Sequence, residues 1–197
     1  MGADTAYAAA NLTWLAARAG GVVAWGLIVA SMVWGLLLAT KALGRRAQPA
    51  ALLSMHRFLG ALALSFTVVH VLAILVDRFV KFSIVDALVP FASSYRTLPV
   101  ALGIIGMYLL ATIEVTSLVR NRMAPAIWRE IHLLSYMLFV VVTVHAVTVG
   151  TDTKAILTEA AAFAVGTVAG FVGVGLWLRR SGAAEDRAAA SRSFERG

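Results

Sequence analysis

Five long apolar stretches, separated by short polar segments, dominate the sequence. Each stretch is close to the roughly 20 residues that an α-helix needs to cross the hydrocarbon core of a bilayer. The predicted spans are Val22 to Leu43, Ala51 to Val76, Leu98 to Val119, Ala126 to Val149 and Ala155 to Leu178. The polar segments are too short to form a separate soluble domain. The pattern therefore predicts an all-α integral membrane protein, built as a five-helix transmembrane bundle.

The remaining segments are predicted to lie at the two membrane surfaces. Residues 1–21 are an alanine-rich lead that ends in a Gly20-Gly21 break, and we expect a short helix or loop at the outer interface. The connection 77–97 has aromatic residues and charges of both signs, which predicts an outer loop with a short amphipathic helix. Residues 22–178 then form the transmembrane domain, and the polar residues 179–197 form a frayed cytoplasmic tail.

The basic residues set the expected orientation. They cluster in GRRAQPA (44–50), in RNRMAPAIWR (120–129) and at Arg179-Arg180, and the five spans put all three clusters on one side. Because cytoplasmic loops carry the excess of lysine and arginine, we expect the amino terminus outside, the carboxyl terminus in the cytoplasm, and a multi-pass protein of the plasma membrane. The same clusters account for the net charge of +7 without a nucleic-acid partner. No basic segment precedes the first span, so no cleaved signal peptide is expected.

Composition narrows the possible chemistry. The chain is 60% hydrophobic and 14% charged, whereas a soluble domain has roughly 45–50% and about 25%. It has no cysteine, which excludes disulfides, thiolate ligation of haem, cysteine-bound iron–sulfur clusters and covalent haem attachment through cysteine. It has no GxGxxG, Walker or serine–histidine–acid pattern, so we expect no flavin or nucleotide site within the chain. Histidine is the main remaining iron ligand.

All four histidines lie in the second and fourth spans. His56 and His70 are roughly 21 Å apart along a helix, so they cannot bind one metal ion, and about 3.9 turns put both rings on nearly the same face. His132 and His145 are about 3.6 turns apart, which places their rings well over a right angle apart on an ideal helix. The fourth helix must therefore overwind, bend or rotate, or the two bound groups must differ in orientation.

The second and fourth spans cross the membrane in the same direction, so equal depth pairs His56 with His132 and His70 with His145. A flat macrocycle between each pair would take one imidazole from each side and would bury its edges against apolar walls. This arrangement predicts two bis-histidine haems b, His56/His132 near the cytoplasm and His70/His145 near the outside. Iron with both axial positions filled has no vacant site for oxygen or a substrate, which indicates electron transfer.

Another interpretation stays open, because a membrane histidine can instead bond a carbonyl or a serine of a neighbouring helix. The chain would then be a small non-haem membrane transporter or assembly subunit, whose histidines and Glu114 handle protons or a metal ion. Glu114 lies inside the third span, where an unpaired carboxylate is costly. It either pairs with a nearby arginine or relays a proton; the candidate partners are Arg57, Arg120 and Arg129.

The histidine segments resemble the ferric reductase-like transmembrane domain family, found in ferric reductases, NADPH oxidases and the haem subunit of the bacterial methionine-sulfoxide reductase system. The matching residues are HRFLG with His56, then His70, WREIHLLSY with His132, and His145, at the unequal intervals typical of the family. WLAARAGGVVAW and LVPFASSYR also look like small actinobacterial-type members, and the likeness covers about residues 12–180. The resemblance implies two stacked haems b, held by these four histidines, that carry electrons across the membrane. Larger relatives continue into flavin and nicotinamide domains, whereas only the polar tail follows here.

Further candidates surround the predicted haems, whose propionates should meet water and cations. They are Arg57 and Arg129 on the cytoplasmic side, and Arg18, Arg96 and Tyr95 on the outer side. Each arginine is equally well explained as a positive-inside or snorkelling residue. Gly60, one turn beyond His56, would admit a macrocycle edge or serve helix packing. A stripe of Gly166, Gly170 and Gly173 predicts a helix-contact face, which a dimer could use.

Together these observations predict a component of an oxidoreductase, a membrane cytochrome b that needs partner chains. It would pass electrons from a cytoplasmic flavin/NAD(P)H reductase to an extracytoplasmic acceptor, namely ferric iron, a secreted redox protein or oxygen. An interior-negative potential favours this direction by about 2.3 kcal/mol per 100 mV. The alternative within the same class is a haem subunit that is fed by membrane quinol and serves a periplasmic or secreted reductase.

Overall fold

A computed structural model describes residues 3–40, 48–77, 81–149, 155–156, 158–170 and 172–173. The regular structure within these ranges is helical. The elements are α1 (Ala3–Thr40), α2 (Pro49–Val76), α3 (Ile84–Leu88), α4 (Thr97–Leu118), a 3₁₀ turn (Arg120–Arg122) and α5 (Pro125–Val149). A further helical stretch covers 158–170. The prediction of an all-helical protein is confirmed for the described part of the chain.

Four helices among the described residues are long and apolar enough to cross a membrane: Leu12–Thr40, Ala50–Val76, Thr97–Leu118 and Pro125–Val149. The predicted second, third and fourth spans begin and end within two residues of α2, α4 and α5. The fifth predicted span and the tail fall partly or wholly outside the described residues, so a count of five spans stays a prediction. At most a third of each apolar window is buried inside the bundle, which leaves apolar surface for contact with lipid. The chain is a multi-pass membrane protein.

The first helix differs from its prediction. α1 runs without interruption from Ala3 to Thr40, through Gly20 and Gly21, which the sequence analysis took as a break. The predicted interfacial lead is therefore the first part of the same helix. Both glycines lie against His70 of α2: a Cβ on Gly20 would be 3.4 Å from its Cα, and one on Gly21 would be 2.9 Å from its Cε1. They allow two helices to approach closely rather than ending one.

The centre of the bundle is a layer of apolar side chains from all four spanning helices, which we call the central layer. Its members are Ile28, Ala63, Leu110, Ile113 and Leu138. Ala63 is fully buried and lies midway along α2 between His56 and His70. A second cluster joins α1 and α5 to the stretch 158–170, through Met32, Leu36, Phe139, Ala164 and Val168. This last stretch therefore packs on the bundle as a helix, although its full length is not described.

The connection between α2 and α4 contains the predicted short helix, α3. Ser83 caps it, because its side chain accepts from the backbone N–H of Asp86 while the Asp86 carboxylate accepts from the backbone N–H and the hydroxyl of Ser83. Before α4 begins, Arg96 adopts a left-handed conformation with φ 44°. Its Nη1 donates to the carbonyl oxygens of Thr148 (2.8 Å) and Val149 (3.4 Å) at the end of α5. The connection is thus tied to the end of α5 that carries His145.

Candidate functional site

The four histidines meet in two pairs across the gap between α2 and α5. The ring centroids of His56 and His132 are 6.0 Å apart, with an interplanar angle of 80°. Those of His70 and His145 are 6.4 Å apart, at 79°. We call them the first pair and the second pair. Because the partners follow the same order along both helices, α2 and α5 run in the same direction, as the sequence analysis predicts. The pairs lie roughly 21 Å apart along the bundle.

The ring separations fit two imidazoles on opposite sides of one metal atom. A metal–imidazole bond is about 2 Å long and a ring nitrogen lies about 1 Å from its centroid, so trans ligands have centroids about 6 Å apart. The same separations and nearly perpendicular planes are also those of a direct edge-to-face ring contact. In the described part of the chain no group of three or more histidine, cysteine or acidic side chains gathers at one point. Each pair therefore offers two protein ligands and no more.

Backbone carbonyls hold three of the four rings through Nδ1. The acceptors are Ser31 for His56 (3.0 Å), Ala17 for His70 and Pro99 for His145 (2.8 Å). A carbonyl oxygen only accepts, so Nδ1 carries the proton in these rings and the lone pair lies on Nε2. The non-haem interpretation of the sequence expects such bonds to a carbonyl or a serine of a neighbouring helix, and the hydroxyl of Ser31 also lies 3.2 Å from Nδ1 of His56. Metal-bound histidines are usually oriented in the same way, by a hydrogen bond from the nitrogen that does not bind the metal.

A glycine stands four residues after each of these three carbonyls. The pairs are Ala17 with Gly21, Ser31 with Gly35, and Pro99 with Gly103. A helical side chain covers the turn on the amino-terminal side of its own Cα, so any side chain at the later position would cover the carbonyl. A Cβ on Gly103 would lie 2.6 Å from Cε1 of His145, and one on Gly35 would lie 3.2 Å from Cε1 of His56. The glycines therefore open the path by which each imidazole reaches its carbonyl.

His132 is held differently. Its Nδ1 is buried and has no hydrogen-bond partner. Its ring instead stacks on Trp128, one turn earlier in α5, with centroids 5.0 Å apart and an angle of 22° between the planes. His145 reaches across to α4, whereas His132 lies back along its own helix. α5 is helical throughout from 125 to 149, and the two rings make contacts on different elements of the bundle.

A cavity of about 240 Å³ surrounds the second pair. All four spanning helices and the connection before α4 line it, mostly with apolar side chains and with the glycines Gly21, Gly103 and Gly106. Arg18 and Tyr95, two of the predicted outer candidates, belong to the lining. The lining is mostly apolar and also contains the polar or charged side chains of Thr67 and Asp77. Such a mainly apolar pocket with a few polar groups is typical of cofactor sites.

Buried polar side-chain atoms without a hydrogen-bond partner lie near the first pair. Four buried side-chain nitrogen or oxygen atoms in the described residues have no hydrogen-bond partner, and they belong to Trp34, Ser117, Trp128 and His132. All lie at the end of the bundle that holds the first pair. Buried polar groups are normally paired, so a further polar group at this end of the bundle would find partners in Trp34, Ser117 and Trp128.

The other predicted site residues have mixed placements. Arg57 and Arg129 are exposed near the first pair. Arg96 is absent from the lining of the cavity, because its guanidinium is bonded to the end of α5. Gly60 faces Glu114, whose carboxyl group fills the space that a Cβ would need. Among the described residues Glu114 therefore lies against a glycine of α2 rather than in an ion pair with one of the predicted arginines.

Sequence reasoning missed the residues that orient the rings. Gly21, Gly35, Gly103 and Trp128 were not among its candidates, although the aromatic residue one turn before His132 was visible as a signal. The stripe Gly166, Gly170 and Gly173 is open, with nothing within 4 Å of an added Cβ. It makes no helix contact within the described part of this chain.

Comparison with known proteins identifies the family. A family model described as ferric reductase like transmembrane component matches residues 20–143, more than half of the chain. The match begins at the glycine pair of α1 and includes His56, His70 and His132. No curated protein and no solved structure gives a significant match. The chain belongs to the ferric reductase like transmembrane component family.

Proposed function

We propose that this chain is a transmembrane electron-transfer subunit that holds two b-type haems, one between His56 and His132 and one between His70 and His145. The observation that carries the proposal is the pair of cross-helix imidazole contacts, 6.0 Å and 6.4 Å between centroids. Three of these rings use Nδ1 for a carbonyl and so keep Nε2 for a metal. Bound there, the haems would supply one-electron redox chemistry.

The residues of the chain have distinct tasks in this proposal. The four imidazoles would hold the two haems, two to each, and would leave no protein-free position on the iron for oxygen or a substrate. Arg18 and Tyr95, in the lining of the cavity around the second pair, would supply polar groups for the propionates. Arg57 and Arg129 serve the first haem from the exposed end of the bundle. The apolar side chains of the central layer lie between the two sites.

The proposed direction of electron flow follows from the positive charge at the end of the bundle that holds the first pair. The end of the bundle with the first pair carries exposed arginines, namely Arg57, Arg120, Arg122 and Arg129. A positive surface at the cytoplasmic face would attract a donor with an acidic docking surface. We therefore propose a cytoplasmic flavin/NAD(P)H reductase as donor and an extracytoplasmic acceptor, such as ferric iron, a secreted redox protein or oxygen.

The test is an optical spectrum with haem quantitation on the purified protein. We expect a reduced b-type spectrum and two haems per chain in the unaltered protein. His70→Ala and His145→Ala should each leave one haem, and His56→Ala and His132→Ala should each leave the other. A colourless protein, or histidine variants that keep full haem content, would contradict the proposal and favour a non-haem transporter or assembly subunit.

The electron donor requires a separate test. Haem reduction in membranes should be followed after addition of NAD(P)H with a flavin reductase, and in parallel after addition of a quinol. Reduction by the first donor alone supports the proposal. Reduction by quinol alone would instead assign the chain to the quinol-fed haem subunits that serve a periplasmic or secreted reductase.

A further inference from the structure

The two histidine pairs are built on different supports. In the second pair both rings donate to backbone carbonyls, and in the first pair only His56 does. The Nδ1 of His132 is buried without a partner. A ligand imidazole without an anchor at Nδ1 is free to rotate about its side-chain bonds, so some other contact must fix its plane.

Trp128 provides the missing contact. Its ring stacks on that of His132, with centroids 5.0 Å apart and 22° between the planes. The guanidinium of Arg120 also lies over the Trp128 ring, 5.8 Å from its centroid. An indole is large and rigid, so a stacked imidazole keeps one plane. Tyr136, the same distance along α5 on the other side of His132, is 40% exposed.

We propose that Trp128 is the positioning residue for His132, and that ring stacking at the first haem takes the place of the carbonyl bond that orients the other three imidazoles. This inference rests on the proposed function, because it concerns a ligand of the first haem. It assigns Trp128 no contact with the iron. Its effect is confined to the plane of one imidazole and thus to one of the two sites.

The experiment compares Trp128→Leu with Trp128→Phe and with the control Tyr136→Leu, which removes an aromatic ring one turn from His132 on the exposed side. The readouts are the low-spin ferric electron paramagnetic resonance signals, which depend on the angle between the axial imidazole planes, and the rate of haem transfer to an excess of a haem-scavenging apoprotein. The second pair is an internal reference in every sample.

In Trp128→Leu we expect one low-spin signal to shift or broaden, and one of the two haems to leave about tenfold faster. The other signal should not change. Trp128→Phe should restore both properties, and Tyr136→Leu should match the unaltered protein. Unchanged signals in Trp128→Leu, equal changes at both haems, or failure of Trp128→Phe to restore the signal would overturn the inference while leaving the two-haem proposal intact. Absence of both signals in the unaltered protein would instead overturn the proposed function.

Discussion

Three glycines decide where the imidazoles of this protein can lie. Gly21, Gly35 and Gly103 each uncover a helical carbonyl that orients one ring. The pairing of the histidines was predictable, because their intervals and the common direction of two spans require it. The glycines were not, since α1 is apolar all round and its sequence does not indicate which face turns toward α2. The stacking of Trp128 on His132 could not be predicted from the sequence either, because it depends on the side-chain rotamers of both residues.

The variant Gly103→Ala tests this role at the second pair. The added Cβ would lie 2.6 Å from Cε1 and 2.8 Å from Nδ1 of His145, so the ring must move away from the carbonyl of Pro99. We expect haem content to fall from two per chain toward one, with helix content preserved because alanine favours a helix over glycine by about 1 kcal/mol.

Haem quantitation and circular dichroism would measure both effects. Gly166→Ala is the matched control, since nothing lies within 4 Å of its added Cβ. If Gly103→Ala keeps two haems per chain, with unchanged haem absorption and circular dichroism spectra, this glycine does not position His145.

At the scale of elements, the helices follow the local signals of the sequence closely. Pro49 and Pro125 stand at the starts of α2 and α5, where proline is favoured because its missing N–H is not needed. The prediction for α1 was wrong at Gly20 and Gly21 because a glycine pair resembles a break unless its packing partner is known. The interval between His132 and His145 could not be resolved either, since the directions of the two rings depend on contacts with Trp128 and with the carbonyl of Pro99 that the spacing does not indicate.

The cap of α3 predicts a response to acid. The side chain and backbone N–H of Ser83 donate to Asp86 and lower its pKa below the ordinary value of 3.8. A lowered pKa means that the cap contributes stability above the unfolded-state pKa and loses it as the pH falls through the folded-state pKa. We expect the amide hydrogens of residues 84–88 to exchange faster when the pH is below the folded-state pKa of Asp86. The comparison is made after correction for the intrinsic pH dependence of exchange.

Hydrogen exchange with mass spectrometry would measure this effect. In Ser83→Ala, which removes the hydroxyl, the amides of α3 should exchange faster at neutral pH, and their exchange rate should increase less on acidification. An equal increase on acidification in the unaltered protein and in Ser83→Ala would mean that the hydrogen bond between the Ser83 hydroxyl and the Asp86 carboxylate does not stabilise α3.

The central layer predicts a packing effect in α2. Ala63 is fully buried among side chains of three other helices, so Ala63→Leu must displace neighbours at a cost of about 1–3 kcal/mol in the free energy of unfolding. Thermal unfolding in detergent should show a lower midpoint for this variant. Ala61→Leu, on the exposed side of the same helix, should leave the midpoint unchanged, and an equal loss in both variants would argue against a tightly packed layer.

At the scale of the whole molecule, the absence of cysteine from the sequence makes the proposed orientation directly testable. Ser94, before α4, and Asn121, after it, are both exposed. With the first-pair end in the cytoplasm, Ser94→Cys should react with a membrane-impermeant maleimide on intact cells. Asn121→Cys should react only after the cells are opened. The reverse pattern would invert the topology and the proposed direction of electron flow.

The central layer has a further consequence for energy conversion. It consists of apolar side chains, and the hydrogen-bonded Trp25 and Thr143 lie beside it between the two sites. Each electron that crosses between the proposed haems would move one negative charge through the low-dielectric part of the bilayer. Turnover would be electrogenic, with a rate that responds to voltage by up to about 2.3 kcal/mol per 100 mV, and it would partly discharge the membrane potential of the cell that uses it.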